Sequence, residues 1–138
     1  MRNRIWTVST LILLLATFAW AQSSITLEAK IPFEFRVGKA ILPGGDYTIH
    51  PNLVPGAVAL RNTDRSAAAI VLTLAAQANK APERSKLVFN RYGDTYFLAQ
   101  VWHAGNNRGI EVRKTKAERE MARNVGAVEV AAVYASQR

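Results

Sequence analysis

Cysteine is absent from this 138-residue chain. That excludes disulfides, thiolate metal sites, a cysteine nucleophile and a lipid-modified cysteine anchor. Histidine is nearly absent too, with only His50 and His103. Each sits just beyond an apolar run, where a loop position is the simplest reading. A zinc site needs three or four ligands, and two isolated histidines among scattered acids do not offer that spacing. No Gly-x-Ser-x-Gly elbow occurs. Gly44-Gly45 lacks the following Gly-Lys-Ser/Thr of a phosphate loop and reads as a turn. No catalytic residue, metal or cofactor is therefore assigned, and the chain leans away from enzymatic chemistry. Acidic residues are also few: 10 against 18 basic ones, a formal charge of +8 and a sequence pI near 10.3.

The first 21 residues have the three parts of a secretory signal. Arg2 and Arg4 form a positive start, an apolar run follows from Ile5 to about Phe18, and Ala19-Trp20-Ala21 offers small residues at the positions a signal peptidase reads. Cleavage is expected between Ala21 and Gln22. Loss of two arginines and no acid would leave +6 on the remaining chain, with sixteen basic and ten acidic residues. An exported chain without cysteine fits the periplasm or exterior of a bacterium better than a eukaryotic secretory route, where small domains are rich in disulfides. Residues 22–138 are long enough for one domain with its own core, and 49% apolar content with 20% charge is ordinary for a globular fold.

Period-two patterning dominates the rest. Ile25, Leu27 and Ala29 alternate with Thr26, Glu28 and Lys30, and Ile31, Phe33, Phe35 and Val37 continue on one face. Pro32 cannot donate to a strand ladder, so it marks an edge or a bulge. Ala40–Leu42 reads as a short strand, Pro43-Gly44-Gly45-Asp46 as a turn, and Tyr47 and Ile49 as the next strand. Residues 51–56 read as a loop and Ala57–Arg61 as a strand. Ala67–Ala76 holds many alanines, which suit a helix, but Ile70, Val71 and Thr73 are β-branched and tip it to a central strand packed on both faces. Gln77–Ser85 is a polar loop.

Lys86–Trp102 gives the strongest local signal. Two apolar, aromatic runs flank Gly93-Asp94, a dipeptide suited to a tight hairpin turn. Pairing Tyr92 with Thr95 and Phe89 with Leu98 puts Leu87, Phe89, Tyr96, Leu98 and Trp102 on one face. Val88, Phe97, Ala99 and Val101 fall on the other, which is too apolar to be left in water. The C-terminal helix, another strand or a partner protein of the envelope is expected to cover it. After the loop from His103 to Gly109, Thr115-Lys116-Ala117-Glu118 fits a capping box, with Glu118 reaching back to free backbone donors. A helix is predicted over Lys116–Asn124, with Ala117, Met121 and Val125 on one face and Gly126 as its stop. Ala127–Ala135 alternates again and reads as the last strand. The prediction is an all-β domain: an antiparallel β-sandwich or partly open barrel of about seven to nine strands, with one short C-terminal helix.

Two segments carry a resemblance. Ile31-Pro32-Phe33-Glu34-Phe35-Arg36-Val37-Gly38 with Leu42-Pro43-Gly44-Gly45-Asp46-Tyr47, and Phe89-Asn90-Arg91-Tyr92-Gly93 with Tyr96-Phe97-Leu98 and Trp102, resemble small exported bacterial β-rich proteins of uncharacterised function. The resemblance implies export and a β fold, and no activity.

The functional lead is charge. Arg108, Arg113, Lys114, Lys116, Arg119 and Arg123 crowd into sixteen residues. Such a run is ordinarily a solvated face; the sharper reading is a patch for anionic polysaccharide, lipid head groups or nucleic acid. Tyr92, Tyr96 and Trp102 near Arg91 offer stacking surfaces. The candidate binding residues are thus Arg91, Tyr92, Trp102, His103, Arg113, Lys114 and Arg119. The expected function is an exported non-enzymatic binding or structural domain, with an envelope-assembly subunit and a glycan-acting enzyme as the alternatives. Asp46, Asp64 and Asp94 lie in turns, where aspartate supports local backbone geometry.

Overall fold

The computed structural model describes residues 24–138, so the expected leader and its cleavage site lie outside the described residues. Ten strands and one helix follow in chain order: β1 (Leu27–Ile31), β2 (Phe35–Val37), β3 (Ala40–Leu42), β4 (Gly45–Val54), β5 (Ala57–Asn62), β6 (Ala68–Gln77), β7 (Lys86–Tyr92), β8 (Thr95–Trp102), β9 (Arg108–Val112), α1 (Lys116–Val125) and β10 (Glu129–Gln137). The ladder runs β8-β7-β10-β1-β4-β5-β6-β9 and returns to β8 through β8–β9 pairing. Every one of those contacts is antiparallel. Eight strands therefore close an antiparallel barrel, and the β2–β3 hairpin lies outside it, joined to β8 by a parallel pairing of Phe35 with Tyr96 and Arg36 with Phe97. The expected all-β fold with one short helix is what forms, as a closed barrel.

Alternation places Leu27, Ile31, Ile49, Val58, Leu60, Leu87, Phe89 and Leu98 in one core, each 2% exposed or less. One end of the barrel is stopped by aromatic rings. Pro32 ends β1, and the chain carries Phe33 and Phe35 across that end to reach β8. Phe33 stacks on Tyr96 with centroids 3.8 Å apart and meets Phe89 edge-on at 5.0 Å, while Phe35 meets Tyr47 and Phe89 edge-on at 5.2 and 5.5 Å. Such pairs add about 0.5–1.5 kcal/mol each beyond the area they bury. Gly44 is the neighbour that lets this crossing pass, since a Cβ there would lie 3.1 Å from the backbone of Ile31 and Phe33. The Tyr47 hydroxyl donates to the Pro43 carbonyl and ties the same turn down. Residues 31–38, with the turn at 42–47, thus form the barrel's stopper.

The hairpin follows the expected register from Tyr92–Thr95 to Phe89–Leu98 and then departs from it. The next pairs are Val88–Gln100, Leu87–Val101 and Lys86–Trp102, which leaves Ala99 as an extra residue. A one-residue bulge exchanges the faces of everything beyond it. Val101 turns into the core at 2% exposure, and Trp102 turns out of the core face to lie over Gly109 on β9. Val88, Phe97, Ala99 and Val101 consequently do not form one face. Phe97 is covered within the chain, edge-on to Tyr92 and under the Arg36 guanidinium, and Val88 lies with Trp102 beside Pro82 of the β6–β7 loop.

Three other expectations change. β4 runs through Pro51 to Val54 with an irregularity after His50, so most of the segment read as a loop is strand. β6 is central in the ladder, yet only its inner face is packed: Ile70, Leu72 and Leu74 point outward at 69%, 72% and 47% exposure. A single-layered barrel leaves its outer wall to solvent unless something docks there.

The helix differs most. Thr115 caps it by accepting from the Glu118 amide at 3.1 Å, and Gly126, at φ 74°, ends it by donating to the Ala122 carbonyl. Glu118 does not complete a capping box. Its carboxylate is buried and accepts from Asn90 Nδ2 and from the Tyr92 hydroxyl, each at 3.1 Å. Ala117 and Val125 are exposed, so the helix docks on β7 through Glu118 with half-buried Met121 and Ala122 at its side. A hydrogen-bonded carboxylate replaces the expected apolar stripe.

Candidate binding clefts on the barrel

The two clefts of most interest follow from how the barrel closes. On the half of the wall nearest Trp102, β9 bridges β8 and β6. Its ladder with β6 ends at the Thr73–Val112 pair. Beyond that point residues 113–115 leave the sheet towards α1. The edge of β8 on this lower half is taken by β2, and the pairings of β2 are with β3 and β8, not β6. A seam remains between the first half of β6 and the β2–β3 hairpin. It is a cleft of about 560 Å³ in which Lys39, Arg113 and Lys114 meet Ile70 and Leu72, and among the described residues no Asp or Glu lines it.

The second cleft, of about 470 Å³, is the unstopped end of the barrel, bordered by Ile25, Asn52, Thr73, Val101, His103 and Arg108. His103 Nε2 lies 2.9 Å from Gln137 Oε1, and the Arg108 amide donates to Asn106 Oδ1 at 2.9 Å. Among the described residues this rim also carries no carboxylate. His50 sits away from His103, on β4, with Nδ1 3.4 Å from the Thr26 hydroxyl. Among the described residues no three His, Asp or Glu side chains gather in a way that would hold a metal ion.

The seven candidate residues divide into three groups. Arg113 and Lys114 share the side cleft, and Arg119 joins them by donating from Nη1 to the Lys114 carbonyl at 2.8 Å. Trp102 and His103 are at the other end of the barrel. Trp102 is 7% exposed, with Nε1 donating to Gln100 at 3.0 Å, so its ring is packed and not offered for stacking. Arg91 and Tyr92 are held by neighbours. Arg91 donates to the Gly93 carbonyl at 2.7 Å, pairs with Glu129 at 3.3 Å and lies 5.5 Å from the Tyr96 ring centroid. Tyr92 is 3% exposed. Burial raises its phenol above the ordinary value of 10.0, and the neighbouring Glu118 charge and hydrogen bond raise it further. Its ring serves the helix contact.

No family model, curated protein or solved structure matches this chain.

Lys39 and Ile70 are the members of the side cleft that period and charge alone did not single out. Lys39 lies in the turn between β2 and β3, far along the chain from the clustered cations 113–119. Ile70, Leu72 and Leu74 did carry a signal: three large apolar residues alternate on one strand, and nothing in the sequence identifies what packs on them.

Proposed function

We propose that this chain is an exported, non-enzymatic binding domain of the bacterial cell envelope or extracellular space, and that it engages an anionic partner at the side cleft. The observation that supports the reading is the lining: Lys39, Arg113 and Lys114 converge on one concavity with no carboxylate among them. Three cations without acids raise the local concentration of anions and select against cationic partners. The N-terminal pattern and the two resembling segments support the exported setting. Most glycan-cleaving enzymes place two carboxylates across the bond they break; among the described residues neither the side cleft nor the barrel mouth has an acidic residue in its lining.

The test is retention on immobilised dextran sulfate and on vesicles containing anionic phospholipid, with protein lacking residues 1–21. Retention should weaken steeply with salt, because exposed charges are screened over about 8–10 Å near physiological ionic strength. It should be lost in the Arg113→Glu/Lys114→Glu variant and kept in an Arg61→Glu control. Salt-independent indifference to every anionic probe, peptides included, would defeat the proposal. The reading as a subunit of an envelope assembly is favoured by one further observation, the bare apolar strand at the cleft, and is taken up next.

A further inference from the structure

The side cleft has a property beyond its charge: one wall is an unpaired strand edge. Antiparallel strands point the N–H and C=O of alternate residues to opposite edges. In β6 the odd positions face β5, since the Asn62 amide donates to the Ala67 carbonyl at 2.8 Å and the Thr73 amide donates to the Gly56 carbonyl at 2.9 Å. Even positions face the other way. Near the barrel mouth they meet β9, as the Ala78 amide does with the Asn107 carbonyl at 2.8 Å. Ile70 is even, and the β9 ladder stops before reaching it. Its N–H and C=O therefore point into the cleft, where among the described residues no strand pairs with β6. The side chains of Ile70 and Leu72, 69% and 72% exposed, border that edge.

Exposed edges are usually blunted by a lysine or proline on the strand itself, a bulge or a covering segment. Past the end of the β9 ladder this one carries Ala68 and Ile70, with no charge between Ala67 and Gln77. The cations stand across the cleft instead, at Lys39, Arg113 and Lys114. That arrangement suits a visiting strand with acidic side chains: main-chain bonds to β6 on one side, carboxylates towards the cations on the other. We infer that the seam between β6 and the β2–β3 hairpin accepts an extended, acidic segment of a partner protein, which adds to the edge of β6 as a further strand.

This inference rests on the anionic-partner reading and specifies the partner's chemistry. A second copy of the chain is the less suitable occupant. Edge-to-edge pairing of β6 with its own copy would bring Lys39, Arg113 and Lys114 of both chains together, and like charges facing across an interface oppose association. Polysaccharide or lipid would meet the cations without presenting the regularly spaced main-chain donors and acceptors that a strand offers to the β6 edge. Strand addition uses both, with main-chain bonds supplying affinity and side-chain contacts selectivity.

The experiment uses fluorescence anisotropy of a labelled seven-residue peptide alternating glutamate with valine or threonine. Saturable binding is expected. Methylating the amide nitrogens on one edge of the peptide leaves its charge intact and should weaken binding at least tenfold on the edge that faces β6. Arg113→Glu/Lys114→Glu should do the same. Ile70→Pro removes a donor that only the cleft edge uses, so it should weaken binding without disturbing the β5 ladder; should that variant fail to fold, the methylated peptides carry the test on the unaltered protein. Binding that ignores methylation on either edge and is displaced equally by dextran sulfate would overturn strand addition while leaving the anionic cleft standing. Binding to neither peptide, polysaccharide nor vesicle would overturn both. Peptide binding that survives charge reversal would overturn the acidic assignment.

Discussion

Glu118→Ala is the most informative single perturbation of this fold, because one carboxylate anchors the helix. Glu118 accepts from Asn90 and Tyr92 at 3.1 Å each and is 3% exposed. A hydrogen bond to a charged group is worth about 1.5–3 kcal/mol, and truncation also leaves both donors unpaired. Against this stands the desolvation of the carboxylate itself, which the substitution relieves. Water reaching the gap would soften the loss further. A net destabilisation of about 2–4 kcal/mol follows, which for a domain of this size is a fall in Tm of roughly 8–16 °C. The assay is urea and thermal unfolding of Glu118→Ala, Tyr92→Phe and the double variant. Because the two residues share a hydrogen bond, their effects should be non-additive, with a coupling of about 1–2 kcal/mol. A loss below about 0.5 kcal/mol for Glu118→Ala, or strict additivity in the cycle, would refute the claim that this carboxylate holds the helix to β7.

The same contact has a signature at high pH. Tyr92 and Tyr47 hold their phenolic protons above the ordinary value of 10.0, mainly because burial disfavours the anion. In the unfolded chain both ionise near 10, so the stability they contribute is fully present below that pH. It drains away as pH rises from about 10 through their raised folded values. Unfolding followed between pH 8 and 11 should show this decline, and it should be shallower in Tyr92→Phe; an identical slope would remove the argument. Thr115→Ala removes the helix cap and should cost about 1 kcal/mol in chemical unfolding. Gly109→Ala would place a Cβ 2.6 Å from the Trp102 ring, so the ring must move. The expected result is a loss of about 1–3 kcal/mol together with a changed tryptophan emission, and unchanged emission would contradict the packing described.

Local features of the fold were legible in the sequence wherever the responsible forces are local. Gly93-Asp94 with its flanking alternation specified the hairpin and its first four pairs, since a tight turn sets the register next to it. Thr115 and Gly126 marked the helix ends, because capping depends on groups a few residues apart. Pro32 marked the break after β1 for the same reason: it has no N–H to give a ladder. The candidate site was legible in part. Arg113, Lys114 and Arg119 are close in sequence and stay close in space, whereas Lys39 arrives from β2–β3 and Ile70 from β6.

Tertiary structure decided what depends on distant partners. Period two says which residues share a face, but not which strands become neighbours; β10 enters between β7 and β1, and β9 between β8 and β6, through contacts far apart in the chain. The bulge at Ala99 carries no mark in the composition, yet it sends Val101 into the core and Trp102 out of it, because one extra residue inverts a two-residue period. Glu118 looked like half of a local cap and became the helix's anchor once Asn90 and Tyr92 were brought beneath it. The seam beside Ile70 has the same origin: it exists because β9 stops one strand-half short, and only the closed barrel reveals where that leaves an edge unpaired.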